Sequence, residues 1–567
     1  MFDLIIRNAR ICDGTGAPGY VGDLAVRDGR IAELGPGPTL ASAEAHRTVD
    51  AGGLVLAPGF LDPHTHFDAQ LTWDGLAQPS LEHGVTTVIP GNCSLSLAPL
   101  RSAHREFLGA VFRQIEEMPK SAFDAGLRWT WESFGEYVEA IAPGLGLNVA
   151  PLAGHSLLRL FVLGYESRDR SSTPEEVRAL QDLLRRSLDE GALGMSTSFS
   201  DVDHEFRPVP SRLATLAELD ALCAVLGERG RPLQVLPEFW EADLLRTRID
   251  MLAELSLRHG IPVHFSPLFE SEATPGLVEA ALERLELQAR RGARVTAQMQ
   301  TRPIDITFDA SQASAVFAAM PLWMGTLMQG PEAIRKAFSD PSTRKALVAD
   351  SETENRPIAL SFTLAQTRLS AAKGASRSDV GRTLGEIARE RGVHPAEVLM
   401  DVSLAEDLAA RFTAASLAHA DESKVGPALT HPLVQIGAGD GGAHVARFAT
   451  YGDTGHLFAR FVRANPVFDV EGAVKRLTKD IADAWGIADR GRLAKGLAAD
   501  LVLFDPDTID RGPEELAFDL PGGGDAFRFV RRARGVKEVF VAGTSVHRDG
   551  EGYSQARPGA IVEGPSR

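Results

Sequence analysis

Near both ends of the chain, apolar and polar residues alternate with the period of two that is typical of β-strands. At the start, the stretches DLIIRNARIC and DLAVRDGRIAELG show this alternation and are closed by Gly, Asp and Asn. At the end, AADLVLFDPD and VKEVFVAGTSVHRDG show it again. The pattern therefore predicts short strands and hairpins that form small β-sheets at both termini.

The middle of the chain has a different pattern, in which short apolar runs alternate with long amphipathic stretches. The amphipathic stretches, such as TPEEVRALQDLLRRSLDEG, have the periodicity and end signals of helices. Eight apolar runs predict strands, namely LVLAPGF, VTTVIPG, LNVAPLAG, ALGMSTSF, LQVLPEF, PVHFSPLF, ARVTAQM and VQIGAG. Eight strands alternating with helices predict an α/β fold in which a parallel sheet closes as a (β/α)8 TIM-like barrel.

A further apolar run, RPIALSFTL at residues 357–365, is a ninth strand candidate. We place it in a long insertion at about 302–430, before the last barrel strand. The insertion could cover the mouth of the barrel or make a subunit contact.

Composition narrows the class of protein. The net charge of −17 argues against a nucleic-acid or anionic-membrane partner, since both require clustered Lys and Arg. Three cysteines in 567 residues are too few for a fold held together by disulfides. No apolar stretch is long enough to span a membrane. With no signal peptide evident at the N-terminus, we expect a cytoplasmic protein without a membrane or nucleic-acid partner.

Two histidines follow the first predicted barrel strand, in the stretch LDPHTHFD. His64 and His66 are two residues apart, so in an extended segment their side chains point the same way. Active sites of such barrels lie at the carboxyl ends of the strands. The pair therefore forms a plausible metal half-site, and the alternative is a pair of polar histidines at the rim.

Two further residue types suited to metal chemistry follow predicted strands. Cys93 comes after the second strand, where it is either a thiolate ligand or a buried structural cysteine. Asp440 comes after the eighth strand among glycines, where it is either a metal ligand and proton acceptor or part of a Gly-rich turn. We assign the structural role to Cys12 and Cys223.

Four other residues at predicted strand ends are candidates for metal or substrate contacts. His155 ends the third strand and Glu238 ends the fifth, while His444 and Arg447 follow Asp440. Arg447 could hold a substrate carboxylate through two hydrogen bonds. For each residue the alternative is an ordinary structural hydrogen bond or surface ion pair.

Taken together, these stretches resemble the amidohydrolase superfamily of metal-dependent hydrolases. VLAPGFLDPHTHFD is similar to its first-strand signature, and the two chain ends are similar to its composite β-sandwich. HGVTTVIPGNCSLSLAPLR, GALGMSTSFS and GDGGAHVARFATYG resemble the D-aminoacylase, or N-acyl-D-amino-acid deacylase, group. The resemblance implies a β-sandwich domain of residues 1–53 plus 490–567 and a barrel domain of residues 54–489.

The resemblance also implies roles for single residues. His64 and His66 match the paired histidines of the family, Cys93 matches its cysteine metal ligand, and Asp440 matches its general acid/base. The chain departs from the family pattern where histidines usually end strands five and six, because Glu238 and Pro267 stand near those places. The lysine that often follows the sixth-strand histidine is missing too.

The expected function is metal-dependent hydrolysis of a C–N bond. The reaction would need one or two divalent ions, and zinc is the expected metal. The small-molecule substrate would be an N-acyl-D-amino acid or a related amide, and the protein could form a homo-oligomer. Two alternatives stay open. One is a cyclic-amide hydrolase similar to hydantoinases, and the other is a metal-poor, non-catalytic scaffold, which the missing histidines favour.

Overall fold

A computed structural model of the chain describes residues 1–317, 319–352, 362–437, 439–524 and 526–564. The ninth strand candidate at 357–365 lies largely outside these described residues.

All eight apolar runs of the middle region contain strands. The first run, LVLAPGF, forms Val55–Pro58, which belongs to the sheet of the chain ends, and its last residue begins the parallel strand Phe60–Asp62; the other seven runs form strands that pair parallel. One sheet has six strands, in the spatial order Val434–Ile436, Val295–Met299, Val263–Phe265, Leu233–Leu236, Gly194–Ser198 and Leu152–Gly154. A second has three, in the order Phe60–Asp62, Val85–Val88 and Asn148–Val149. A parallel bridge between Thr65 and Gly441 joins the first segment to the last. The predicted α/β class is therefore confirmed.

The helices between these strands follow the predicted amphipathic stretches. Their apolar faces pack on the strands, as the three-to-four-residue spacing of apolar side chains predicts. In the order of the chain they are Arg105–Ile115, Lys120–Gly126, Phe134–Ile141, His155–Leu163, Pro174–Asp189, Leu216–Arg229, Ala242–His259 and Leu277–Arg290. After the last strand come Asp453–His456, a π-helix at Leu457–Ala464, Val470–Leu477 and Lys479–Trp485.

Both ends of the chain contribute to one nine-stranded sheet. The N-terminal strands are Phe2–Ile11, Tyr20–Arg27, Arg30–Pro36, Ala45–Asp50 and Val55–Pro58, and the C-terminal strands are Leu501–Phe504, Val536–Val541, Thr544–Arg548 and Gly552–Tyr553. The two sets meet where Val55–Pro58 pairs antiparallel with Leu501–Phe504. A separate antiparallel pair, Asp510–Ala517 and Arg528–Arg534, lies outside this sheet.

The segment assigned to the insertion has a hydrophobic core of its own, which contains residues from Ile304 to Ala418 together with Phe448. Its three strands, Ile306–Phe308, Arg368–Ala371 and Arg411–Ala414, form a small antiparallel sheet. Its helices are Pro321–Leu327, Pro331–Ser339, Pro341–Ser351, Leu384–Arg391 and Pro395–Ala405, and Glu422–Thr430 leads back to the last parallel strand. No helix among the described residues combines the length and the apolar character needed to cross a membrane.

Candidate metal centre

The backbone beyond the strand Phe60–Asp62 is held against the segment that follows the last parallel strand. The N–H of Asp440 donates to the carbonyl of His64 at 3.1 Å, and the N–H of His66 donates to the carbonyl of Gly441 at 2.7 Å. These two hydrogen bonds bring together residues almost four hundred positions apart in the sequence. The first and last strand ends are therefore neighbours.

The side chains of His64, His66 and Cys93 converge at this place, with one ligand atom from each lying within 4.8 Å of the others. His64 Nε2 lies 3.5 Å from Cys93 Sγ and 3.3 Å from Asp440 Oδ1. His66 Nε2 lies 3.6 Å from the same carboxylate oxygen. The structure thus gathers around one point the four residues that the sequence analysis singled out.

The other ring nitrogen of each histidine faces a buried acceptor. His64 Nδ1 lies 3.0 Å from Gln298 Oε1, and His66 Nδ1 lies 2.9 Å from Glu116 Oε1. The Gln298 oxygen favours the tautomer of His64 with the proton on Nδ1, which leaves its Nε2 free to face Cys93 and Asp440. The Glu116 carboxylate lies close behind the His66 ring but makes no hydrogen bond of good geometry with it.

Two of the four residues have an unusual backbone conformation. Cys93 has a φ of 54° and Asp440 a φ of 57°, in the left-handed region where residues other than glycine are uncommon. The N–H of Cys93 donates to Gln234 Oε1 at 3.0 Å, which holds the cysteine in this conformation. Such strain persists only where surrounding contacts fix it, and it is frequent at functional sites.

The charges in the cluster favour a cation. Burial alone would raise the pKa of Asp440, but hydrogen bonds and charge from His64 and His66 hold it well below its ordinary value. Burial alone would lower the pKa of His64, but its contacts with Cys93 and Asp440 raise it to about 10. The cluster therefore binds positive charge strongly, and a divalent ion can take the place of protons on such groups.

Of the four further candidates, two contact partners of their own. Both ring nitrogens of His155 make hydrogen bonds. Nδ1 lies 3.0 Å from Thr197 Oγ1, and Nε2 lies 2.9 Å from Glu218 Oε1. Glu238 accepts two hydrogen bonds from Arg248, each of 2.7 Å.

The remaining two candidates share one partner. Glu117 Oε2 lies 3.2 Å from His444 Nδ1, and Glu117 Oε1 accepts from Arg447 Nε at 2.9 Å. The adjacent glutamates 116 and 117, at the end of the helix Arg105–Ile115, thus contact His66 on one side and the segment after Asp440 on the other.

His264 lies in the strand Val263–Phe265, and its contacts are structural. Its Nδ1 lies 2.8 Å from Thr296 Oγ1 and 2.8 Å from Gln435 Nε2, and its ring lies 4.4 Å from that of Trp485. Cys12 and Cys223 are buried, Cys223 on the helix Leu216–Arg229.

Sequence reasoning missed three residues of the site: Glu116, Gln234 and Gln298. Each contacts a residue that is distant in the sequence, and a single glutamate or glutamine carries no motif. The one available signal was the polar residue in the middle of each apolar strand run, LQVL for Gln234 and VTAQM for Gln298.

Comparison with known proteins agrees with this geometry. The model of an amidohydrolase family matches residues 47–547, so the chain belongs to the amidohydrolase family. The resemblance to the D-aminoacylase group drawn from the sequence is confirmed. D-aminoacylase of Alcaligenes xylosoxydans xylosoxydans is 29% identical, and the alignment covers 96% of this chain and 94% of that protein.

Two other similarities extend over the whole chain. An uncharacterized protein of Mycobacterium tuberculosis is 31% identical, with 98% of this chain and 94% of that protein covered. A solved structure of D-aminoacylase, described for the functional role of its binuclear metal centre, superposes with a TM-score of 0.68 at 25% identity. That superposition covers 99% of this chain and 100% of the other.

Proposed function

We propose that this protein is a metal-dependent hydrolase that cleaves the amide bond of an N-acyl-D-amino acid or a closely related amide. The observation that carries the proposal is the convergence of His64, His66, Cys93 and Asp440. The full-length similarity to D-aminoacylase supports the substrate class.

The proposal includes the closed form of the fold. The parallel order of the strands and the Thr65–Gly441 bridge support closure into a (β/α)8 barrel spanning residues 54–489. The sheet shared by both chain ends supports a composite β-sandwich of residues 1–53 and 490–567. The separate hydrophobic core supports treating residues 302–430 as an insertion.

The donor set fits a divalent transition metal. Two imidazoles and a thiolate are preferred ligands of zinc, and one ligand atom each of His64, His66 and Cys93 lies within 4.8 Å of the others. We assign His64, His66 and Cys93 as the residues that would hold zinc, with Asp440 beside them. Zinc held by these residues would supply a nucleophile at neutral pH by lowering the pKa of water, and would polarise the carbonyl group of the substrate.

Asp440 is the group that moves the proton. Its side chain is 29% exposed while those of His64 and His66 are 3% and 5% exposed, so it is the member of the cluster that water reaches most easily. An aspartate is ionised at neutral pH, and hydrogen bonds and charge from His64 and His66 hold the pKa of this one lower still. It can accept a proton from the attacking water and donate it to the leaving nitrogen, which gives a carboxylic acid and an amine.

Glu116 and Gln298 are positioning residues in this proposal. Gln298 orients His64 through Nδ1, Glu116 places its charge behind His66, and neither touches the substrate. Outer partners of this kind fix the tautomer and the direction of a ligating histidine.

The test uses the double variant His64→Ala, His66→Ala and the purified wild type. We expect about one equivalent or more of zinc in the wild type by mass spectrometry and little in the variant, together with hydrolysis of N-acyl-D-amino acids by the wild type alone. Full metal retention in the variant would place the metal elsewhere. A wild type that lacks metal after growth in metal-replete medium would favour a scaffold, and activity restricted to cyclic imides would favour the hydantoinase-like alternative.

A cytoplasmic location and assembly into a homo-oligomer stay predictions.

A further inference from the structure

The peptide group that carries Asp440 is held at both of its polar atoms. Its N–H, which belongs to Asp440, donates to the carbonyl of His64 at 3.1 Å. Its carbonyl, which belongs to Gly439, accepts a hydrogen bond of 2.9 Å from Nη2 of Arg302. The plane of this peptide group is therefore fixed from two sides, and the Cα atom of Asp440 projects from it in one direction.

That direction matters because the backbone of Asp440 is strained. Its φ of 57° lies in the left-handed region, where the Cβ atom of an L-residue is crowded by the backbone. An aspartate released from its contacts would relax to a negative φ. Because this rotation takes place about the N–Cα bond, it would swing the carboxylate away from His64 and His66. The contacts of the peptide group therefore also hold the side chain.

Arg302 can hold the peptide group because it is itself fixed. It follows the strand Val295–Met299, and its side chain is only 2% exposed. Its Nε donates to Oδ2 of Asp453 at 2.9 Å, and Oδ1 of that carboxylate accepts from the N–H of Thr301 at 2.8 Å. The planar guanidinium thus joins Asp453 to the Gly439 carbonyl through donors whose separation cannot change.

We propose that Arg302 is a positioning residue for the reaction, because its hydrogen bond to the Gly439 carbonyl fixes the carboxylate of Asp440 at the metal cluster. The inference rests on the proposed function and adds a residue to it. The hydrogen bonds of the Arg302 side chain reach Asp453 and Gly439 and none of the proposed zinc donors. Since the side chain is almost completely buried, its effect on the reaction passes through the peptide group and not through the substrate.

The first test is structural and needs no turnover. Arg302→Lys keeps a positive charge beside Asp453, but an ammonium group lacks the planar set of donors that reaches both Asp453 and the Gly439 carbonyl. A crystal structure of this variant should show the Asp440 carboxylate displaced from its position 3.3 Å from His64 Nε2. The side chains of His64, His66 and Cys93 should stay in place. A carboxylate in the same position as in the wild type would overturn the proposal.

The second test is kinetic. In Arg302→Lys we expect kcat for an N-acyl-D-amino acid to fall by roughly tenfold to a hundredfold, because the proton acceptor is misplaced. KM and zinc content should stay within about twofold of the wild type. An unchanged kcat, or a change confined to KM or to zinc content, would overturn the positioning role.

A double-variant cycle identifies the residue through which Arg302 acts. In the background of Asp440→Asn there is no carboxylate to position, so Arg302→Lys should lower the residual activity by less than about twofold. A further loss as large as that in the wild-type background would show that Arg302 acts by another route and would overturn the proposal.

A matched control and a second variant guard against general damage to the fold. Arg159 is also completely buried, pairs with Glu218 and donates to the carbonyl of Arg170 at 2.8 Å. Arg159→Lys should leave kcat within about twofold of the wild type, and an equal loss there would overturn the specific role of Arg302. If Arg302→Lys does not fold, Asp453→Asn removes the anchor of Arg302 and should displace the Asp440 carboxylate in the same way.

The two kinds of measurement separate this inference from the proposed function. A wild type that hydrolyses no N-acyl-D-amino acid overturns the deacylase function, while a displaced Asp440 carboxylate in the Arg302→Lys crystal still supports the positioning contact. Hydrolysis by the wild type together with an undisplaced carboxylate and unchanged kcat in Arg302→Lys overturns this inference alone.

Discussion

The proposed reaction needs the negative charge of Asp440. Replacing this residue removes that charge but leaves the three proposed zinc donors in place. Asp440 lies 3.3 Å from His64 Nε2 and 3.6 Å from His66 Nε2, next to the proposed zinc donors. In Asp440→Asn, His64, His66 and Cys93 still offer three donors. We expect zinc content to stay close to that of the wild type while kcat falls by at least about 10²-fold, because the amide cannot accept the proton. Unchanged activity would remove Asp440 from the chemistry.

In the proposed site, Glu116 would act on the metal through His66. Its carboxylate is buried and lies 2.9 Å from His66 Nδ1, so Glu116→Gln removes the negative charge behind the imidazole. We expect zinc affinity to fall by about tenfold to a hundredfold, as measured by competition with a chelator.

The neighbouring glutamate provides the control. Glu117→Gln removes a carboxylate of similar position, but that carboxylate faces His444 and Arg447 and not a zinc donor. Its zinc affinity should stay within about twofold of the wild type. Equal losses in the two variants would indicate a general effect of the helix end and not an effect on His66.

The site shows how far single residues can be predicted from a sequence. His64, His66, Cys93 and Asp440 were found because each follows a strand, and parallel strands end at one edge. That all four share one metal ion stays a prediction. Glu116 and Gln298 could not be found, because they act through contacts that exist only once distant segments have packed. A buried glutamate at a helix end looks like a surface glutamate in the sequence.

At the scale of elements, a buried ionic group fixes one helix to another. Glu218, near the start of the helix Leu216–Arg229, lies 2.9 Å from His155 Nε2 and accepts from Arg159 Nη1 at 2.7 Å. Both partners belong to the helix His155–Leu163, and all three side chains are almost completely buried. Breaking a buried group of this kind leaves charge without a partner and is strongly destabilising.

This group predicts a dependence of stability on pH. Burial alone would raise the pKa of Glu218, but His155 and Arg159 lower it from 4.5 to about 2. A carboxyl with a lower pKa in the folded state stabilises the fold above the unfolded pKa and loses that contribution as the pH falls. Glu218→Gln should therefore lower the unfolding temperature most above pH 4.5, and the difference from the wild type should shrink between pH 4.5 and 2.

A surface glutamate on the same helix is the control for this measurement. Glu228 pairs with Arg185 but its side chain is 49% exposed, so Glu228→Gln should change stability by less than about 1 kcal/mol at any pH. A difference between Glu218→Gln and the wild type that stays constant down to pH 2 would contradict the assigned pKa.

Elements were predicted well where the pattern was regular. All eight apolar runs of the middle region contain strands, because burial on both faces requires such runs. That residues 302–430 are an insertion stays a prediction, and the three short strands within them were not identified from the sequence. Arg368–Ala371 has the burial pattern of an edge strand with only Leu369 inside, which leaves no alternation to detect.

At the scale of the whole molecule, the chain forms regions with separate cores. The nine-stranded sheet joins residues from the first and last sixty or so positions; one of its faces buries a cluster of its own, and the other contributes residues such as Val55, Val502 and Val539 to the main core. The insertion buries its own cluster. Regions with few apolar contacts between them can open independently, and hydrogen exchange detects this.

A pair of matched substitutions tests that division. Leu56 is fully buried in the strand Val55–Pro58, which lies between Phe2–Ile11 and Leu501–Phe504. Leu56→Ala should destabilise the shared sheet by about 2–5 kcal/mol and increase hydrogen exchange in both neighbouring strands, although they stand at opposite ends of the sequence. Leu347 is equally buried within the core of the insertion, so Leu347→Ala should increase exchange there and leave Phe2–Ile11 protected. If Leu56→Ala instead exposed the first strand and not Leu501–Phe504, the two chain ends would be independent units, and the composite domain would have to be abandoned.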